Sequence, residues 1–128
     1  MISGMNHFTV LAGDLQATLD FYVDLLELEP GPRPDLGFPG AWLYSGGQAV
    51  LHIVGGRRLP HPPAGVIDHI AFSARGLPRV KARLDAAGIR YDLGRQAGTG
   101  IWQLFCHDPA GARVELDFDP SETLAAET

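Results

Sequence analysis

The stretch IDHIAFSA, residues 67–74, indicates how the chain is organised, because a related stretch occurs near the N-terminus. It is short and apolar, as expected of a β-strand, and carries His69 near its start. The segment NHFTVLAGDL aligns with DHIAFSARGL and places His7 62 residues before His69. Leu15 and Leu77 keep the same spacing. The sequence therefore predicts a duplicated module.

Each copy has the pattern of a strand, a helix and three strands. The spacing of Leu15, Leu19, Tyr22 and Leu26 predicts the first helix, and Asp14 is a plausible cap for it. The remaining predicted segments are a strand at 5–12, a Pro- and Gly-rich loop or broken edge strand at 29–40, two strands at 41–56, a strand at 66–74, a helix at 76–88, a strand at 89–94 and a hairpin at 99–118. The prediction is a βαβββ module at about 5–56, a second at about 66–118, and a polar tail at 119–128 that frays.

Composition limits the class of protein. With 128 residues, 45% of them hydrophobic and 20% charged, the chain is expected to form one compact domain. Cys106 is its one cysteine, which excludes an internal disulfide and a thiolate zinc cluster within one chain. We expect a soluble cytoplasmic protein, since no apolar run reaches the length of a membrane span and the N-terminus lacks the basic start of a signal peptide. The net charge of −5 argues against nucleic acid as a partner.

Strand parity places the ionisable residues on one face. Residues two apart in a strand share a face, so His7 lies with small or polar neighbours, opposite bulky apolar residues. His69 and Glu115 follow the same pattern; the face of Glu115 also carries Arg113 and Asp117. The strand of His52 is the exception, because Val50 and Val54 share the face of His52. One face is thus suited to pack under the helices and the other to line a cleft.

The four ionisable residues are related in pairs by the repeat. His7 corresponds to His69, and His52 corresponds to Glu115. Imidazoles and a carboxylate from different strands are typical of a divalent metal site with open positions. The alternative is four polar side chains that are satisfied separately; their symmetric placement favours the metal site.

The chain resembles the glyoxalase/bleomycin resistance/extradiol dioxygenase superfamily, also called vicinal oxygen chelate proteins. The resemblance covers residues 5–118, through NHFTVLAGDLQATLDFYVDLLEL, AVLHIV, IDHIAFSA and FCHDPAGARVELDF. It implies an α+β fold in which two βαβββ modules form a curved mixed sheet around a cleft, and in many members of this length a homodimer. It also implies metal ligands at the positions of His7, His52, His69 and Glu115.

One of these positions departs from the glyoxalase I pattern. Glyoxalase I-like members usually carry a glutamate where this chain has His52. Fosfomycin-modifying and extradiol members use two histidines and one glutamate, which matches His7, His69 and Glu115. His52 is then either a fourth ligand or a nearby base, and glyoxalase I activity itself is not the expectation.

The resemblance implies chemistry on a small substrate that chelates the metal through neighbouring oxygens. Fe, Mn, Ni, Zn and Co are all candidate metals, and the metal would act as a Lewis acid. Glu115 or His52 would transfer a proton, as in an isomerase, epimerase or lyase. Two alternatives stay open: an Fe(II)-dependent dioxygenase, and a metal-free drug-binding protein like those of bleomycin resistance.

The remaining predictions concern substrate contacts and buried residues. The candidate substrate contacts are Tyr44, Arg57, Gln103 and Phe105. Trp42 and Trp102 are related by the repeat and are expected to pack in the core, with lining of the cleft by one or both as the alternative. Cys106 is expected to be a small buried residue rather than a nucleophile.

Overall fold

A computed structural model describes residues 1–125 of the chain. The chain divides into two compact units, Met1–Pro63 and a second that starts at Ala64. Each unit has the predicted βαβββ order and forms its own four-stranded mixed sheet. The prediction of an α+β fold built from two such modules is confirmed.

In the first unit the last strand of the module pairs with the first. Its sheet has the order β1-β4-β3-β2, with β1 parallel to β4 and the other pairs antiparallel. His52 on β4 lies between Thr9 of β1 and Trp42 of β3, and His7 stands one residue before β1. The elements are β1 (Phe8–Leu11), α1 (Leu15–Leu19), a π-helical segment (Asp20–Leu25), β2 (Glu29–Gly31), β3 (Gly40–Ser45) and β4 (Gln48–Val54).

The second unit repeats this arrangement. Its sheet has the order β5-β8-β7-β6, and β5 is parallel to β8. Glu115 on β8 lies between Ala71 of β5 and Phe105 of β7, and His69 stands one residue before β5. The elements are β5 (Ile70–Ser73), α2 (Leu77–Ala86), β6 (Asp92–Arg95), β7 (Trp102–His107) and β8 (Arg113–Phe118).

The first helix departs from the predicted regular α-helix after its first turn. Asp14 caps it as predicted, and its carboxylate accepts a hydrogen bond from the Ala17 amide at 3.0 Å. The π-helical segment then follows, with the Leu26 amide bonded to the Phe21 carbonyl five residues earlier. The side chains of Phe21 and Tyr22, adjacent in this segment, are both buried.

The tail is anchored at Glu122, so the prediction that it frays is wrong there. The Glu122 carboxylate accepts hydrogen bonds from the amides of Gly76 and Leu77, where α2 begins. Its backbone carbonyl accepts another from the Trp102 indole at 2.7 Å. These contacts satisfy free N–H groups of the helix terminus. Residues 126–128 of the predicted tail lie outside the described part of the chain.

Burial alternates along β5, as strand parity predicted for that strand. On β5 the side chain of Ile70 is buried and that of Ala71 is exposed. The apolar side chains that form the two cores include Val10, Phe21, Tyr22, Leu43, Leu51 and Ile53 in the first unit and Ile70, Leu77, Leu84, Leu104, Val114, Leu116 and Phe118 in the second. Within residues 1–125, no helix is long and apolar enough to span a membrane.

Candidate functional site

His69 is held by a carboxylate on its own chain neighbour. The Nδ1 atom of His69 lies 2.6 Å from Oδ2 of Asp68, which also accepts a hydrogen bond from Nη1 of Arg113 at 2.9 Å. The hydrogen bond with His69, followed by that from Arg113, lowers the pKa of Asp68. The Asp68 carboxylate therefore accepts a hydrogen bond from Nδ1–H of His69, and Nε2 is turned towards the sheet.

The Nε2 atom of His69 faces Glu115. It lies 3.1 Å from Oε1 of that carboxylate, and the Glu115 side chain is only 8% exposed. The second oxygen, Oε2, accepts a hydrogen bond from Nε2 of Gln103 at 3.3 Å. The Phe105 ring stands edge-on to the imidazole, with 5.9 Å between the ring centroids. The buried carboxylate of Glu115 on β8 thus lies beside an imidazole nitrogen, next to two side chains of β7.

Asp117 is a second acidic group on this face. Its pKa is raised to about 6, first because burial disfavours the charged form and then because the Glu115 carboxyl lies within hydrogen-bonding reach. Its Oδ1 atom is buried without a hydrogen-bond partner among the described residues. The second unit therefore concentrates two carboxyl groups beside His69.

His7 is held in the first unit by a related contact. Its Nδ1 atom lies 2.7 Å from Oδ1 of Asn6, the residue that corresponds to Asp68. The Asn6 carbonyl in turn accepts a hydrogen bond from the Gln48 side chain at 3.2 Å. The amide oxygen accepts a hydrogen bond from Nδ1–H, so Nε2 is the nitrogen of His7 that could bind a cation.

His52 lies in a stack of three rings. The His7 ring covers one face, with 3.6 Å between centroids and 13° between planes. The Trp42 ring covers the other, at 4.0 Å and 9°. Burial first, and the neighbouring His7 second, lower the pKa of His52, which favours a neutral imidazole. His52 is therefore enclosed by aromatic surface on both faces.

The donor set of the second unit fits a divalent metal ion. Two ligands at about 2.1 Å from a metal and at right angles to it are about 3.0 Å apart, close to the 3.1 Å between His69 Nε2 and Glu115 Oε1. The Asp68 contact also matches the carboxylate–histidine arrangement common behind metal ligands. Among residues 1–125, no three His, Cys, Asp or Glu side chains are grouped to hold a metal ion. The structure brings the predicted ligands together as one pair in each unit.

The predicted substrate contacts lie in different surroundings. Gln103 and Phe105 contact the pair in the second unit, as described above. Tyr44 donates a hydrogen bond from its hydroxyl to the Pro32 carbonyl, and its ring lies against the backbone of Gly31. Arg57 is in an exposed loop, with its guanidinium 6.0 Å from the centre of the Phe38 ring.

Neither tryptophan is fully buried, so core packing, the preferred of the two expectations, is not what the structure shows; the alternative, that one or both line a cleft, stays a prediction. Trp42 is half-buried in the ring stack, and Trp102 is half-buried under the Arg95 guanidinium, 3.9 Å above its ring centre. Cys106 is a buried thiol as predicted. Burial raises its pKa to about 11, which makes it a poor nucleophile.

Sequence reasoning missed the residues that hold the histidines. Asn6 and Asp68 occupy equivalent positions in the two copies, immediately before each histidine. That signal was present in the aligned segments, since both side chains offer an oxygen to a neighbouring N–H. The ring stack gave no comparable signal, because the orientation of Trp42 depends on the strand register.

Comparison with known proteins agrees with the fold. Residues 4–116 match the family described as the Glyoxalase/Bleomycin resistance protein/Dioxygenase superfamily. Glyoxylase I 4 of Arabidopsis thaliana is 30% identical over 122 residues, which cover 90% of this chain and 70% of that protein.

Solved structures share the same architecture. Lactoylglutathione lyase from Agrobacterium tumefaciens is 25% identical, with a TM-score of 0.68, over 91% of this chain and 94% of that one. A variant of the fosfomycin resistance protein FosX from Listeria monocytogenes, crystallised with Mn(II) and a dihydroxypropylphosphonic acid, has a TM-score of 0.75. It is 20% identical over 93% of this chain and 94% of that one, a likeness of fold. The chain therefore belongs to the glyoxalase/bleomycin resistance/dioxygenase superfamily.

Proposed function

We propose that this protein is a metal-dependent enzyme that transfers a proton in a small substrate with two neighbouring oxygens. The contact between His69 Nε2 and Glu115 Oε1 at 3.1 Å, with Asp68 behind the imidazole, carries the proposal. An acidic oxygen buried beside a nitrogen lone pair needs a shared proton or a cation between them. The 30% identity to a protein named for glyoxalase I chemistry supports an isomerase or lyase.

The proposed metal ligands are His7, His69 and Glu115, a set of two histidines and one carboxylate. In both histidines Nδ1 is engaged by an oxygen, so Nε2 is the nitrogen that would bind a cation; in His69 this atom faces the Glu115 carboxylate. Fe, Mn, Ni, Zn and Co suit such a mixed nitrogen and oxygen set. The metal would supply Lewis-acid stabilisation of negative charge that develops on the substrate oxygens.

Glu115 is the proposed proton carrier. Its two oxygens have different partners, since Oε1 faces His69 and Oε2 accepts from Gln103. One carboxylate can therefore serve as ligand through the first oxygen and accept a proton at the second. His52 is the alternative base, because its lowered pKa leaves it neutral and able to accept a proton.

The proposed substrate contacts come from both units. Gln103 and Phe105 border the Glu115 carboxylate and His69, where they would orient a polar and an apolar part of a substrate. Tyr44 and Arg57 are proposed as contacts from the first unit. We further propose that the protein works as a homodimer.

The test is the metal content of protein purified without chelator, measured by elemental mass spectrometry. It compares the wild type with Glu115→Gln, which keeps the shape of the side chain, and with Asp92→Asn, which removes an exposed carboxylate on β6. We expect near-stoichiometric metal in the wild type and in Asp92→Asn, and its loss in Glu115→Gln.

The metal found directs the substrate search. Nickel, zinc, manganese or cobalt makes α-hydroxycarbonyl compounds the first substrates, assayed by exchange of the substrate C–H proton with deuterated water. Iron with consumption of dioxygen on catechols would replace the proposal with dioxygenase chemistry. No metal in the wild type, even after reconstitution, would overturn it and favour a drug-binding protein.

A further inference from the structure

We propose that His52 is a positioning residue, which holds the His7 imidazole by stacking, and that it is not a metal ligand. Trp42 completes the stack on the far side of His52. This inference rests on the proposed function, because it concerns how His7 is presented to a metal. It assigns a role to the residue at which the chain departs from the glyoxalase I pattern.

The stack is built into the sheet of the first unit. The register places Trp42 on β3 directly opposite His52 on β4, so their side chains leave the same face as neighbours. Thr9 is the partner of His52 on β1, and His7, two residues earlier, shares the face of Thr9. The strand register thus places the three side chains next to one another in the protein without metal.

Face-to-face stacking is incompatible with joint ligation of one ion. An imidazole binds a metal along the nitrogen lone pair, which lies in the plane of the ring, at about 2.0–2.1 Å. The rings of His7 and His52 are nearly parallel, and the 3.6 Å between their centroids is close to the contact thickness of carbon atoms. Their lone pairs therefore lie in two nearly parallel planes that are separated by about the thickness of a ring.

The distances make the conflict explicit. A metal midway between the two rings would lie half of 3.6 Å, about 1.8 Å, out of each ring plane. With a bond of about 2.1 Å, that position is far from either lone pair. One ring of the stack can bind the ion, and the other can only support it.

His7 is the more exposed ring of the pair, and its Nε2 is the nitrogen turned away from Asn6. Asn6 engages its Nδ1 atom at 2.7 Å, and the Gln48 side chain holds the Asn6 backbone. His52 has an aromatic ring on each face and is half-buried, whereas His7 is exposed. Stacking on His52 limits rotation of the His7 ring about the bonds that Asn6 leaves free, so the entropy of ordering this ligand is lost before metal binding.

The test separates a stacking surface from a nitrogen ligand. Co(II) is titrated calorimetrically into chelator-treated wild type, His52→Phe and His52→Ala, and the visible spectrum of each Co(II) complex is recorded. His52→Phe keeps a flat ring and removes the nitrogens; His52→Ala removes both. His107→Phe, at an exposed position of β7, is the control for loss of an imidazole.

We expect His52→Phe to keep the Co(II) dissociation constant within about threefold and to leave the visible spectrum unchanged. His52→Ala should weaken Co(II) binding by about 10–100-fold, the usual effect of removing a support behind a ligand. Trp42→Leu should weaken it less, since His52 still contacts His7. Circular dichroism of the metal-free variants checks that each is folded; if His52→Ala is not, His52→Leu takes its place.

Two results would overturn the assignment. If His52→Phe weakens Co(II) binding as much as His52→Ala and alters the spectrum, His52 is a ligand. If neither substitution changes Co(II) binding, the stack does not position His7. If the proposed function itself is wrong, the wild type binds no Co(II). That result would also overturn the positioning role of His52.

Discussion

The two units support equivalent histidines by different physical means. In the second unit, His69 is held by the charged Asp68, which Arg113 braces, and it faces the buried Glu115 carboxylate. In the first unit, His7 is held by the neutral Asn6 amide and by stacking on His52. The duplicated fold has kept the position of the imidazole and changed what surrounds it.

The difference lies in how charge is managed. A buried carboxylate is costly unless it is paired, so the second unit depends on its histidine for stability as well as for the proposed chemistry. In the first unit His7 lies beside the neutral amide of Asn6 and beside the imidazole of His52, whose pKa is lowered. Substitutions at equivalent positions should therefore have unequal effects.

The largest difference is expected between His69→Ala and His7→Ala in the metal-free protein. His69→Ala leaves Glu115 without its closest partner and should lower the free energy of unfolding by about 1–3 kcal/mol. His7→Ala removes an exposed ring and should cost about 0.5 kcal/mol. Urea denaturation of chelator-treated protein at pH 7 measures both. Equal losses would show that Glu115 does not depend on His69.

A smaller effect is expected when the two supports are exchanged. Asp68→Asn gives His69 the neutral acceptor that His7 has, and should weaken Co(II) binding by about tenfold, because the carboxylate raises the basicity of the ligand nitrogen. Asn6→Asp should strengthen binding by a few fold at most. Calorimetric titration compares the two variants. Unchanged binding in Asp68→Asn would mean that the geometry of this oxygen matters and its charge does not.

The repeat and strand parity predicted most of what places the site. His7, His69 and Glu115 lie on the predicted faces because alternation along a strand is a local property of the backbone. Glycine at the end of α2 was equally readable, since Gly88 takes a positive φ of 69° that other residues rarely adopt. The grouping of the four candidate ligands at one metal stays a prediction.

The features that sequence did not predict depend on contacts between distant segments. Glu122 caps a helix that begins 45 residues earlier in the chain, at Leu77. Trp42 is half-buried and stacks on His52, because the strand register places the two residues opposite each other. The π-helical turn contains Phe21 and Tyr22, whose side chains are both buried in the folded chain. No spacing rule within one segment carries this information.

The helix caps extend the comparison between the units. α1 is capped locally by Asp14, and α2 is capped from the tail by Glu122, which accepts from two amides. Glu122→Ala should lower the free energy of unfolding by about 1 kcal/mol and Asp14→Ala by about 0.5 kcal/mol. Thermal and urea denaturation measure the effects. Glu122→Gln keeps an oxygen acceptor and should lie between Glu122→Ala and the wild type.

The smallest effect is expected at Asp117, and it depends on pH. Its pKa of about 6 is above the 3.8 of an unperturbed carboxyl, so the folded state binds this proton more tightly than the unfolded state. Stability from this group is therefore present below about pH 4 and is lost as the pH rises through about 6. Asp117→Asn, which cannot ionise, should be more stable than the metal-free wild type at pH 7.

The gain should stay below about 1 kcal/mol, because the side chain is only partly buried and water screens its charge. It should shrink as the pH falls from about 6 towards 3.8, because the wild-type carboxyl then becomes protonated in the folded state and, below 3.8, in the unfolded state as well. Urea denaturation of the two chelator-treated proteins from pH 4 to pH 8 gives the difference directly. Asp119→Asn is the matched control, since its carboxylate is exposed and its pKa is lowered by Ser121. A difference at Asp117 that does not change with pH would mean that ionisation of this carboxyl does not oppose folding, and that the two acidic groups beside His69 do not repel each other.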